Sequence, residues 1–414
     1  MSVLLRVSIV LLVLFFIDWY TWRGIHAAIG LRGATFQRLV RLSYWAVSIG
    51  MVLIMVIGIV RMEQLRASHN NAYMYSVIGI FILLLIPKLI IVIFHGFEDL
   101  LLLAGWAWSR LAPGAKAETQ DPGRLRFISQ VGLALAAIPF TGIVYGLTRG
   151  WRNFNVAYVP VKARNLPKAF DGLRIIQISD LHLGSFSKKT DVVQHGIDLI
   201  NAQRPDLILF TGDLVNNFAE EVEPWLEHFA GLKATMGMYS ILGNHDYGEY
   251  STWPSAAAKA GNFERLKGHH RTMGFRLLLD EHVSIQKGGE EFSLIGVQNW
   301  GTRFQQYGDL AKAVAGTDPG KFRLLMSHDP THWDAQVRDT GIDLMLAGHT
   351  HGAQFGITIA GNTYSPAQWI YKEWAGLYEK AGLQLYVNRG FGFIGFPGRI
   401  GMPPEITVLE LQCA

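Results

Sequence analysis

Leu173-Arg174-Ile175-Ile176-Gln177-Ile178-Ser179-Asp180-Leu181-His182 is the stretch whose reading decides the fold: a short apolar run that ends abruptly in Asp-x-His. Runs of this length, bounded by turn residues, read as buried strands. The pattern recurs downstream. Leu207–Thr211 ends in Gly212-Asp213, Met238–Leu242 in Gly243-Asn244-His245-Asp246, and Arg323–Ser327 in His328. Leu344–Ala347 ends in Gly348-His349-Thr350-His351-Gly352. Helical patterns at Val192–Ala202 and Glu223–Ala230 fall between the strands, so the region reads as a layered α/β domain. Phe292–Val297 and Leu383–Val387 read as further strands in antiparallel pairs.

Five strands thus deliver Asp, Asn or His at one end, where an open α/β sheet forms its binding crevice. In extended chain Asp180 and His182 face the same way, as do His349 and His351. Glycines at 212, 243, 348 and 352 allow sharp turns and close approach. Imidazole and carboxylate without thiolate suit a pair of divalent ions, Mn, Fe or Zn, with Mn foremost. Such a pair clamps a phosphate and supplies a hydroxide nucleophile at neutral pH.

These clusters resemble the calcineurin-like metallophosphoesterase superfamily, whose pattern is D-x-H, G-D, G-N-H-[DE], H and G-H-x-H. The resemblance implies a double β-sheet sandwich flanked by helices. It places Asp180, His182, Asp213 and His351 on one metal, and Asp213, Asn244, His328 and His349 on the other. His245 then lies beside the pair as the catalytic residue that assists the leaving oxygen, with Asp246 either orienting it or serving the turn. Phosphoprotein phosphatases of the superfamily continue as G-D-x-x-D-R-G, whereas this chain reads Gly212-Asp213-Leu214-Val215-Asn216-Asn217 and lacks the arginine. A closing stretch, Arg389-Gly390-Phe391-Gly392 through Pro403-Pro404-Glu405-Ile406, looks like that of a membrane-attached, phosphodiesterase-like bacterial branch. Some relatives in that branch hydrolyse the pyrophosphate of a UDP-diacylglucosamine lipid precursor.

The chain preceding this domain has a different texture. Of 414 residues, 50% are hydrophobic and 17% charged, below the roughly 25% usual for soluble domains. Four segments, Val3–Tyr20, Ser43–Val60, Tyr75–Phe97 and Phe127–Thr148, are long and apolar enough to span a bilayer. Leu100–Trp108 reads as a re-entrant piece or a fifth span. Pro87 is expected to kink the third span, and Lys88 to face protein or snorkel. The organisation expected is therefore all-α transmembrane helices over 1–150, a linker over 151–164 and the α/β domain over 165–414.

Residues 1–150 hold 13 Lys/Arg against 6 Asp/Glu, and the remainder 24 against 27, so the net +4 belongs to the membrane part and offers no nucleic-acid face. Arg23, Arg32, Arg38 and Arg41 in the first loop and Arg110, Lys116, Arg124 and Arg126 in the third outnumber the six basic residues opposite, Arg66 among them. By the positive-inside rule the catalytic domain lies outside the cytoplasm. Arg124-Leu125-Arg126-Phe127-Ile128 followed by an apolar run, similar to a degenerate twin-arginine export signal, agrees. The single cysteine, Cys413, excludes a disulfide framework.

The function expected is a membrane-anchored dinuclear phosphoesterase acting on a phosphodiester or pyrophosphate of a lipid-linked or nucleotide-linked substrate. A membrane transport or sensing protein with a regulatory metal domain is the competing reading. The glycine-rich loop carrying Phe391, Phe393, Ile394, Phe396 and Ile400 is expected either to meet lipid or to pack on the membrane helices. His269, His270 and His282 are expected at the surface.

Overall fold

The computed structural model describes residues 3–61, 64–65, 71–112, 121–186 and 189–414. Lys116 and Arg66, two of the charges weighed for orientation, lie outside the described residues. The chain divides into two compact units, Met1–Glu63 with Ser76–Tyr145, and Gln64–Tyr75 with Gly146–Ala414.

The first unit is built on four helices, each long and apolar enough to cross a membrane: α1 (Val3–Ala28), α2 (Ala34–Val60), α3 (Ala72–Leu111) and α4 (Pro122–Thr148). Leu100–Trp108 is the last part of α3, which runs 40 residues and continues through Pro87. It is neither a re-entrant piece nor a separate span. An intramembrane charge is tolerated when another group neutralises it, and the charges here are paired between helices. Lys88 Nζ lies 2.5 Å from Asp18 Oδ1, Arg124 Nε 3.7 Å from Glu98 and Arg23 3.4 Å from Asp99.

The second unit stacks two six-stranded sheets. The first has the order β1-β14-β2-β3-β4-β5, from Asn155–Ala163, Glu405–Cys413, Leu173–Ile178, Leu207–Phe210, Met238–Ser240 and Arg276–Leu277. The second has the order β12-β13-β9-β8-β7-β6, from Gly376–Lys380, Leu383–Val387, Leu344–Ala347, Arg323–Met326, Glu290–Gly296 and Glu281–Lys287. The central strands read as unbroken apolar runs because both faces are covered. Leu207 and Leu209 point between the sheets, where they meet Leu324, Met326, Leu344 and Leu346. Ile208 and Phe210 point the other way, under α5 (Thr190–Ala202) and the helix Ala256–Thr272. Both sheets thus bury a shared interior and carry helices outside, the arrangement expected.

Several local expectations need correcting. The segment read as a linker, 151–164, holds β1, which pairs in parallel with β14 from Asn155↔Glu405 to Ala163↔Cys413. The helix expected over Glu223–Ala230 is a 3-10 segment, Ala219–Trp225, containing Pro224, followed by one α turn, Leu226–Phe229. His269 and His270 are buried, and His270 Nδ1 lies 2.9 Å from Ser240 Oγ. His282 is half-buried against the Ala313 carbonyl. Phe391, Phe393 and Phe396 are buried too, and Phe391 and Phe393 pack on Phe154, Trp151 and Phe186 of the same unit. This loop is part of the domain's own core, so the lipid-contacting reading of its aromatics fails.

Candidate metal centre

β2, β3 and β4 run parallel in one sheet and β8 and β9 in the other, and the residues after their C-terminal ends converge. Asp180, His182 and His351 form one trio of facing ligand atoms; Asp213, His328 and His349 form a second. The Asp213 carboxylate links them: its Oδ2 lies 3.6 Å from His182 Nε2 and 3.2 Å from His328 Nε2. His351 Nε2 is 3.2 Å from Asp180 Oδ1 and 3.1 Å from His182 Nε2. His349 turns Nδ1 inward, 3.2 Å from His328 Nε2.

The backbone that achieves this is not extended. Asp180, His182, Asp213, His349 and His351 all adopt left-handed φ, between 43° and 70°. Non-glycine residues rarely do so, at a cost on the order of 1–3 kcal/mol each, and such residues cluster at functional sites. The side chains of each D-x-H or H-x-H pair therefore converge through a curled strand end, and the alternation inferred from extended chain is not the cause. Hydrogen bonds hold the curl. Asp180 N–H donates to the Gly212 carbonyl, His182 N–H to that of Asp213, and His349 N–H to the Asp180 carboxylate at 3.0 Å. Gly212 sits at φ 96°, where a side chain would be strained. A side chain on Gly348 would collide with Ser179 and Asp180.

Most of the imidazoles are oriented by their outward nitrogen. His328 Nδ1 faces the Thr211 carbonyl at 2.8 Å, His182 Nδ1 that of Val215 at 3.2 Å, and His349 Nε2 the Tyr371 hydroxyl at 2.9 Å. A nitrogen that donates to a carbonyl carries the ring proton, which leaves the inward nitrogen free to take either a second proton or a metal. His351 is different: its Nδ1 lies 3.3 Å from the buried Arg399 guanidinium, which donates to the carbonyls of Arg389, Gly390 and Gly392.

Two features fit this cluster to cations. Asn244 Oδ1 is buried without a hydrogen-bond partner, while its Nδ2 donates to Tyr250 Oη at 2.8 Å. Buried polar atoms are mostly paired, so this partnerless oxygen is open to a ligand. Second, burial alone would raise the Asp180 and Asp213 carboxyls, yet facing histidines hold both well below the usual range. Burial would also lower His328, but Asp213 and Asp180 pull it up to about 10. The cavity demands positive charge.

His245 stands apart from both trios. Its Nδ1 lies 2.8 Å from the Asn216 carbonyl, its N–H donates to Asp213 Oδ1 at 2.8 Å, and Tyr250 lies against its ring at 4.4 Å. Asp246 does not touch the ring. Its carboxylate accepts from the backbone N–H groups of Asp213, Leu214, Val215 and Gly243, and so serves the turn. Glu221 holds the next three N–H groups, Asn216 to Phe218, with burial pushing its carboxyl up to about 7.

Four side chains around the site escaped sequence reasoning: Arg399, Tyr250, Tyr371 and Arg303. Arg303 is exposed, 6.0 Å from the Tyr371 ring centre, and its neighbour Phe304 packs edge-on to His349. All four lie in irregular segments without periodicity. Only Arg399 had a signal, its place in the glycine-rich loop.

Residues 173–353 match the family described as calcineurin-like phosphoesterase, and residues 2–151 match one described as the transmembrane domain of probable calcineurin-like phosphoesterases. An uncharacterized metallophosphoesterase of Bacillus subtilis is 31% identical over 261 residues, 61% of this chain and 83% of that protein. A transmembrane protein with metallophosphoesterase domain from Bos taurus is 27% identical over 82% of this chain and 73% of its own length. Its namesake from Danio rerio is 29% identical over 66% of this chain, which spans 60% of that relative.

Proposed function

The chain belongs to the calcineurin-like metallophosphoesterases, and from that premise we propose that it hydrolyses a phosphodiester or pyrophosphate bond of a lipid-linked or nucleotide-linked substrate at a two-cation centre. It is a membrane protein and a phosphoester hydrolase by family; the substrate and the residue roles are our reading. The observation that carries the reading is the convergence of two Asp/His trios through Asp213, beside the partnerless oxygen of Asn244.

Asp180, His182, Asp213 and His351 hold one cation, and Asp213, Asn244, His328 and His349 the other, with manganese the foremost candidate. Bound there, the pair supplies charge neutralisation at the phosphate and a water acidic enough to attack at neutral pH. Asp213 takes the central position because its Oδ2 faces histidines of both trios while Oδ1 is anchored by His245 N–H. His245 Nδ1 donates to the Asn216 carbonyl, which leaves Nε2 as the basic nitrogen, and the ring assists the leaving oxygen once Nε2 has taken up a proton, the catalytic role. Arg303 offers the phosphate-binding cation that the motif G-D-x-x-D-R-G would have provided. Chelator-stripped full-length protein, reloaded separately with Mn, Fe and Zn, is the test, read by metal content and by hydrolysis of bis(p-nitrophenyl) phosphate and membrane lipid extract. Absence of both stoichiometric metal and hydrolysis overturns the assignment.

The charge bias puts the catalytic domain on the extracytoplasmic side, beyond reach of a cytoplasmic UDP-linked lipid. Alkaline phosphatase fused after Ala414 should then be active and a fluorescent protein dark. The reverse result moves the domain to the cytoplasm and favours the lipid-precursor pyrophosphatase reading.

A further inference from the structure

The exposed apolar surface of the catalytic unit is concentrated in one short segment next to the metal site. Of the eight large hydrophobic side chains exposed among the described residues from Gly146 onward, six fall between Ile357 and Leu377; the other two are Tyr158 and Tyr250. Strands β10 (Ile357–Ile359) and β11 (Asn362–Tyr364) form an isolated hairpin, paired to neither main sheet. Its two-residue turn, Ala360-Gly361, has positive φ at both positions, 49° and 82°, the geometry that closes a tight hairpin. Ile357 and Ile359 lie on one face with Tyr364, the cross-strand partner of Ile357, and all three are more than half exposed. Trp369, 80% exposed, and Ile370 follow a few residues on in the chain, and the next residue, Tyr371, reaches the metal-facing His349.

We infer that this lip enters the surface of a lipid bilayer and presents the metal site to phosphates at the membrane interface. A soluble surface rarely keeps contiguous apolar side chains without a partner. The composition fits the bilayer interface, where Trp and Tyr concentrate beside aliphatic residues. The charge agrees as well. No Asp or Glu occurs from residue 344 to 372, whereas Lys372 and Arg303 flank the lip, the sign that complements lipid phosphate. The hairpin's strands are only three residues each, so the unpaired edges it brings to the interface are short. The chain's four spanning helices keep a bilayer permanently at hand. The inference rests on that anchorage and holds whichever phosphoester the centre cleaves.

The sole cysteine, Cys413, makes a site-specific probe simple. Full-length Cys413→Ser protein carrying Ile359→Cys, labelled with a polarity-sensitive fluorophore, is reconstituted in vesicles of phosphatidylcholine and phosphatidylglycerol. Blue-shifted emission, quenched severalfold by lipids with a nitroxide high on the acyl chain, is the expected result. A matched Tyr158→Cys label should stay red-shifted and unquenched. Water-like emission at 359 overturns the inference. Blue-shifted emission that lipid nitroxides fail to quench also overturns it, because a protein surface, such as a second copy of the chain, would then cover the lip. Hydrolysis of bis(p-nitrophenyl) phosphate by Ile359→Asp should match the parent, which separates loss of the lip from failure of the two-cation reading.

Discussion

The two units of this chain both bury charged side chains, and they do so in opposite ways. In the helical unit Asp18 Oδ1 accepts from Lys88 Nζ, Tyr44 Oη and Ser48 Oγ, so the charge is neutralised and hydrogen-bonded by the unit itself. In the α/β unit the Asp180 and Asp213 carboxylates face ring nitrogens of His351, His182 and His328, and Asn244 Oδ1 has no partner. One cluster is complete and the other is not. We read the completed cluster as scaffold and the incomplete one as built to bind a cation. The contrast is testable because removing a group from each should fail differently.

The largest effect is expected for Asp213→Asn. Asp213 Oδ1 accepts the His245 N–H and Oδ2 faces His182 and His328. An amide must turn its NH₂ towards one of these partners, opposing either a backbone donor or the cations. Metal content and turnover should fall together, turnover by more than the roughly 10²–10⁴-fold typical of a lost proton donor. Two full-occupancy metals with near-normal turnover would return Asp213 to an ordinary loop residue.

Next comes His245→Ala, which should keep both metals and lose about 10²–10⁴-fold in turnover. His245 belongs to neither trio, so loss of metal in this variant would show that the line between ligand and proton carrier is drawn in the wrong place. A smaller effect is expected at Tyr371. Its hydroxyl orients His349 through Nε2, and removing such an outer partner costs on the order of 10–100-fold in metal affinity or activity. Tyr371→Phe should therefore need more manganese for half-maximal rate yet recover most of its turnover at saturation. A change confined to saturating turnover would instead put the phenol in contact with substrate.

The strands, and the gathering of Asp180, His182, His351, Asp213, His328 and His349, were legible because strand ends carry these residues in a fixed order that survives any detail of backbone geometry. The reason offered for their convergence was wrong. Alternation in extended chain cannot describe Asp180 and His182, both left-handed, and φ is not written in an Asp or His as it is in a glycine. Tyr371 and Tyr250 were invisible because their segments have no period and their roles depend on contacts made by folding. The aromatic loop misled for the opposite reason. Phe391 and Phe393 look surplus beside so many glycines, until Trp151, Phe154 and Phe186 arrive from elsewhere in the chain to cover them.

The last and smallest expected effect on catalysis lies in the helical unit. Lys88→Met strands the Asp18 carboxylate among Leu14, Ile17, Met51 and Leu84. Breaking a buried pair from one side costs about 3–5 kcal/mol, whereas replacing both partners by apolar groups is often near neutral. Lys88→Met should thus lower the unfolding temperature in lipid, and adding Asp18→Leu should restore most of it. Turnover per folded molecule should stay unchanged in both, because the pair answers its own charge and leaves nothing over for a ligand. The converse pattern, stable protein with altered turnover or ion flux, would make Asp18 and Lys88 a working site. It would also revive the transport reading, and the contrast between a completed and an incomplete cluster would no longer separate scaffold from function.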